Sequence, residues 1–385
     1  MQLRSWFPVV MALSAFGCGV NHDIAGPHTD ALSANVLAAP LTAGSNGPGA
    51  VYTMTNGSAG NAVLAFTRGA NGTLGNPQSF ATGGLGTGVG LGNQGGLALS
   101  QNNRWLFAVN AGSDDVSAFR VSPNGLARTD REPSRGSHPI SITTRGDLLY
   151  VLNAGGAGGV QGFHVGNDGT LQAIAGSARP LSSGASGPAE IGFTPDGDHL
   201  IVTEKATSLL SVYGVASDGS LTGPVTTPSS GTTPFGFGFD NRGTLVVSEA
   251  FGGGTGASAL SSYRVGSDGS VTLVTGSAPT TQTAACWIAV SDNNHFAYTA
   301  NAGSATITGY AIGADGALSR IDAGVTATTG AGPTELAFSN GSRYLYVLNG
   351  GARSIGGYAV AADGSLQALA ATPGLVTGVN GLAAR

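Results

Sequence analysis

Charge is scarce in this chain. Charged residues occupy 10% of its 385 positions, against roughly a quarter in an ordinary soluble domain. Lys205 is the single lysine, the net charge is -5, and no arginines cluster. Binding to nucleic acid is therefore excluded as a reading, because neutralising phosphates needs a basic patch. Cysteine is nearly absent too, with Cys18 and Cys286 alone. If Cys18 is removed or modified, Cys286 is left as a buried thiol and no disulfide framework holds the fold. No apolar stretch is long enough to span a bilayer as a helix. No segment keeps a 3.6-residue apolar period, so helix is not expected. His residues do not cluster, which leaves no transition-metal site, and no cofactor motif stands up. "GLGNQG", Gly90 to Gly95, has the spacing GxGxxG but precedes a strand and opens no helix, so it lacks the phosphate cradle.

What the chain has in excess is glycine, 65 residues, with 17 prolines. The first residues read as an export signal over 1–17: Arg4, then the apolar run Trp6 to Phe16, too short for a membrane span. "AFGC", Ala15 to Cys18, is similar to a bacterial lipobox, which makes Cys18 a candidate for lipid attachment. Residues 18–48 are a polar tether. The expected locations are the cell envelope, through that anchor, or the exterior; a monomer is expected, touching membrane through the anchor alone.

From residue 49 onward one unit recurs. "GPAEIGFTPDGDHLIVTEK" (Gly187 to Lys205) and "GPTELAFSNGSRYLYVLNG" (Gly332 to Gly350) align without a gap, and "SHPISITTRGDLLYVLNA" (Ser137 to Ala154) fits the same frame. Asx-Gly pairs from Asn71-Gly72 to Asp363-Gly364 mark six intervals of about 49 residues. Four short strands in a repeat of that length define a propeller blade. Asn-Gly and Asp-Gly suit two-residue hairpins with positive φ at both central positions. The chain enters on a second strand near Ala50 and ends on a lone first strand, "NGLAA", Asn380 to Ala384. The fold class is therefore all-β: a seven-bladed propeller of four-stranded antiparallel blades over 49–385, its first blade closed by the C-terminal strand.

"LAFSNGSRYLYVLNGGARSIGGYAVAADGSL", Leu336 to Leu366, resembles a blade of the lactonase-type seven-bladed propellers. That group includes bacterial 6-phosphogluconolactonase and fungal carboxymuconate lactonising enzyme. The resemblance implies a catalytic His opening the third blade, matched by His138. It implies an Arg in a Gly-Pro-Arg-His motif, where Ala189 stands, and a Glu where Lys205 stands. A further family Arg has no counterpart in any blade.

In a meander, the start of strand one and the end of strand two share a face, opposite the Asx-Gly turns. Just before strand one stand Gly96, Pro139, Glu190, Gly236, Trp287, Glu335 and Gly381. Strand two ends on Asn56, Asn110, Asn153, Glu204, Glu249, Asn301 and Asn349. Four of the five glutamates fall in these two slots. An acidic rim is expected on that face, formed by Glu190, Glu204, Glu249 and Glu335, with Trp287 and Lys205 beside them. Two readings follow. One is a lactone-ring hydrolase with His138 as general base and Glu190 or Glu204 as the replacement carboxylate. The other is a non-catalytic module whose mouth holds a small polar or cationic ligand, or a partner's loop, through Lys205, Glu249, Trp287 and Glu335.

Overall fold

The computed structural model describes residues 49–385. The signal segment, the tether and Cys18 lie outside the described residues. Strands alternate with short turns and assemble into seven antiparallel sheets. The inner strands are Asn380–Ala384, Leu97–Leu99, Pro139–Arg145, Pro188–Phe193, Pro234–Phe239, Ala285–Val290 and Pro333–Phe338, for blades one to seven in order. Closure is as expected. Asn380–Ala384 pairs with Gly49–Met54, with Val51 opposite Ala384 and Thr53 opposite Leu382. This covers an edge that would otherwise expose unpaired backbone groups.

The hairpins between strands three and four differ from the two-residue form. Positive φ falls on the glycine of each pair, Gly169 at 90° and Gly219 at 76°, and not on the Asp. The Gly169 amide donates to the Gly166 carbonyl at 2.9 Å, which makes a longer turn closed by a left-handed glycine. The Asp supplies side-chain acceptors instead. Asp168 Oδ1 takes the Thr170 amide at 3.1 Å and its hydroxyl at 2.8 Å, and Asp218 treats Ser220 in the same way. Those bonds explain the repeated Asp-Gly-Thr/Ser pattern.

Tyrosines staple neighbouring blades at these turns. Tyr150 donates to Gly219 O at 2.6 Å, Tyr298 to Gly364 O at 2.7 Å, and Tyr346 to Gly72 O at 2.7 Å. All three rings are fully buried, so each hydroxyl needs the partner it finds.

Candidate functional site at the central channel

The inner strands of six blades each slip register once against strand two: between Asn380 and Leu382, Pro139 and Ser141, Pro188 and Glu190, Pro234 and Phe237, Ala285 and Trp287, and Thr334 and Leu336. The slip aligns Ser141, rather than Pro139, with Glu190, Gly236, Trp287 and Glu335. It also turns an amide away from its own sheet, and a buried amide must find another acceptor. Ile191 N donates to Ser141 Oγ of the preceding blade at 3.2 Å, and Phe237 N to Glu190 Oε2 of the preceding blade at 2.6 Å. Gly236 has no side chain to serve the next blade. There Ile288 N finds Gln94 Oε1 at 2.8 Å.

Gln94 belongs to the segment 90–96, which carries the GxGxxG spacing without a phosphate cradle. It opens no helix, as expected, and it has a structural use. The segment crosses the channel and bonds the inner strands of the other six blades. Ile142 N donates to Gly95 O at 2.8 Å and Gln94 N to Ala189 O at 3.1 Å. Gln94 Nε2 reaches Ile288 O at 3.0 Å and Phe237 O at 3.5 Å. Trp287 Nε1 donates to Asn93 O at 2.7 Å, Asn380 Nδ2 to Asn93 Oδ1 at 2.8 Å, and Gly95 N to Glu335 Oε1 at 2.6 Å. A Cβ on Gly236 would overlap Gln94 Oε1, so that glycine makes room for the plug.

The four glutamates do not gather on one rim. Glu190 and Glu335 face the channel at the plug, 9% and 3% exposed. Burial pushes the Glu190 carboxyl well above its usual range, and Glu335 nearby adds to that. Burial likewise raises Glu335 to about 8, against the opposing pull of the Gly95, Leu382 and Gly381 amides. Glu204 and Glu249 are fully buried inside their own blades. Glu204 accepts from Ser182 N at 3.1 Å, Thr207 Oγ1 at 2.9 Å, Ser211 Oγ at 2.7 Å and the Ser182 hydroxyl. Glu249 accepts from Gly231 N at 2.7 Å, Ser261 Oγ at 2.6 Å and Ser277 Oγ at 2.7 Å. Asn110 and Asn301 bond strand-three hydroxyls from the same position, to Ser117 at 2.9 Å and Thr308 at 3.0 Å. The end of strand two is thus an internal anchor, and the predicted acidic mouth does not form.

The remaining residues divide by face. Trp287 is 4% exposed, its ring edge-on to Phe235 at 5.0 Å, and it holds the plug rather than offering a stacking face. Cys286 is fully buried but disulfide-bonded, not a free thiol; its partner lies outside the described residues. Lys205 forms no ion pair with Glu204. Its ammonium bonds Gly92 O on the plug and sits 4.9 Å from the Phe235 ring centre. His138 is half-buried with φ 55°, and its amide donates to Asp114 Oδ1 at 2.7 Å. Its ring makes no hydrogen bond among the described residues. Ser137, beside it, lines a cleft of about 530 Å³ with Arg135, Asn153, Gln161 and Arg179.

A second cavity, of about 480 Å³, begins at Glu190, Glu335 and Gln94 and runs to the strand-one ends at Arg145, Pro195 and Asn241. It opens on the face of the Asx-Gly turns, opposite the mouth that the sequence suggested. No group of three or more metal-ligating side chains occurs among the described residues.

Seven four-stranded blades, closed by the C-terminal strand and plugged from within, define the class. The chain belongs to the lactonase seven-bladed β-propeller family, whose model matches residues 51–179, 175–250 and 250–336. Solved structures with the same fold include a protein from Lactobacillus plantarum, 19% identical with a TM-score of 0.71, covering 88% of this chain and 99% of that one. A periplasmic gluconolactonase of Pseudomonas aeruginosa is 20% identical, with a TM-score of 0.67 and coverage of 86% and 98%. A candidate 6-phosphogluconolactonase of Bacteroides fragilis is 16% identical, with a TM-score of 0.68 and coverage of 89% and 100%.

Proposed function

We propose that the chain binds a lactone on the face carrying His138 and opens the ring there by hydrolysis, with His138 as general base. The observation that carries this reading is an imidazole in the position that the family resemblance marks as catalytic, half-buried and without a hydrogen-bond partner among the described residues. A general base needs such a free nitrogen within reach of the attacking water. The adjoining cleft between Arg135 and Arg179 offers cations to a carboxylate- or phosphate-bearing lactone. Glu190 and Glu204 leave this catalytic role, Glu190 because it serves the channel at the plug and Glu204 because its own blade occupies it.

The test is a hydrolysis screen against simple, sugar-derived and phosphorylated lactones. Turnover that drops at least a hundredfold in His138→Ala supports the reading. Turnover unchanged in that variant, or absent for every lactone, sinks it. A second reading, a module that binds without catalysis, is favoured by one observation. Ala189, in place of the family Arg, is fully buried, and its carbonyl is taken by the plug. Saturable binding without turnover supports that reading.

We also infer export. A disulfide at Cys286 suits an oxidising compartment, and the N-terminal signal pattern agrees. A sulfur carrying a lipid cannot also pair with Cys286, and the chain has no third cysteine. Anchor and intrachain disulfide are therefore alternatives. Membrane fractionation of wild type and Cys18→Ser separates them: a shift to the soluble fraction supports the anchor, and no shift rules it out.

A further inference from the structure

Lys205 is the chain's single lysine, and its surroundings are unlike those of a solvated surface amine. It follows strand two of blade four, yet its side chain is half-buried. The nitrogen lies against the Phe235 face, 4.9 Å from the ring centre, and donates to the Gly92 carbonyl of the plug. No carboxylate lies within ion-pair distance of it among the described residues. Glu204, next in sequence, is turned into its own blade by four donors. Glu190 and Glu335 are committed to amides of blade five and of the plug. A lysine that is partly desolvated and lacks an anionic partner is the environment in which an amine becomes a nucleophile.

We propose that Lys205 is a nucleophilic amine at the mouth beside the plug, acylated there by lactones and by activated esters. The step needs no further reactant. The neutral nitrogen adds to the lactone carbonyl carbon, a C–N bond forms, and the ring C–O bond breaks. One proton passes from nitrogen to the departing ring oxygen. The product is an amide carrying a free hydroxyl, so the whole lactone mass is retained and nothing is oxidised or reduced. Burial pushes the Lys205 ammonium down to about 8. About a tenth of the amine is therefore neutral at pH 7, and about half at pH 8.

The lactone as acyl donor rests on the proposed function; the reactivity of the amine does not. The full chain is incubated separately with glucono-δ-lactone and with p-nitrophenyl acetate from pH 6 to 10, then weighed intact and mapped by peptide. The expected result is one adduct on the Lys205 peptide, with its rate half-maximal near pH 8. Lys205→Arg, which keeps a cation on Gly92 and Phe235, should lose that adduct. Acetylation without lactone adduct retains the nucleophile and removes the lactone as its donor. Lactone adduct without hydrolytic turnover retains it and removes the hydrolase. No adduct from either probe overturns the inference, as does a rate that rises only near pH 10 like that of a free lysine peptide.

Discussion

Glu335 carries the residue-scale argument. Its position could be read from the Gly-Pro-x-Glu repeat; its task could not. The task comes from a register slip that frees amides around the channel, and from a glycine-rich segment 240 positions away that brings the Gly95 amide to it. Burial raises its carboxyl to about 8, whereas the unfolded chain titrates near 4.3 by the usual glutamate value. Between those values the folded state holds a proton that the unfolded state has released. This contribution to stability is thus fully present below about pH 4 and is lost as pH climbs towards 8. Glu190, also raised, acts in the same direction. Melting temperatures from pH 5 to 9 should fall more steeply for wild type than for Glu335→Gln, which keeps an acceptor and cannot ionise. Identical slopes would show that Glu335 does not titrate in this window.

At the scale of elements, what was legible in the sequence was local. Turns, strand alternation and the blade period depend on partners within one hairpin, and the repeat prints them seven times. Even there the sequence leaves the turn type open, because Asp-Gly fits both the two-residue hairpin and the longer turn with a side-chain acceptor. The plug was illegible for a different reason. Asn93 and Gln94 bond Trp287 and Ile288, each 194 positions distant, and no local pattern announces such a pairing. The acidic rim failed on side-chain direction. The slots sharing a face were identified apart from Pro139, but Glu204 and Glu249 point into hydroxyl-lined interiors of their blades. Gln94 tests the plug. Gln94→Ala leaves Ile288 N without its acceptor and removes the donor to Ile288 O. A loss of about 1–3 kcal/mol is expected, measured by denaturant unfolding. A loss below 0.5 kcal/mol, the ordinary range for a surface substitution, would mean that the segment merely fills space.

On the scale of the whole molecule, the ring is closed twice. The first closure is the strand Asn380–Ala384 paired against Gly49–Met54. It is extended by Ala50 N to Arg385 O at 3.2 Å and Arg385 N to Ala50 O at 2.9 Å. The second closure is the plug, which receives Asn380 Nδ2 on Asn93 and presents Gly95 to Glu335. The two share residues, so removing the C-terminal strand injures both. Deleting residues 378–385 would bare the edge of Gly49–Met54, free Asn93 from Asn380, and take from Glu335 the Gly381 and Leu382 amides that favour its ionised form. An exposed strand edge invites pairing with other chains. Among the described residues no helix covers the channel, so the remaining six blades have nothing there to fill the gap. The expected outcome is aggregation, or a broad unfolding transition well below that of the intact chain, read by light scattering during a thermal ramp. A truncated chain that stayed monomeric and melted cooperatively at the intact temperature would show that the plug alone can hold the ring.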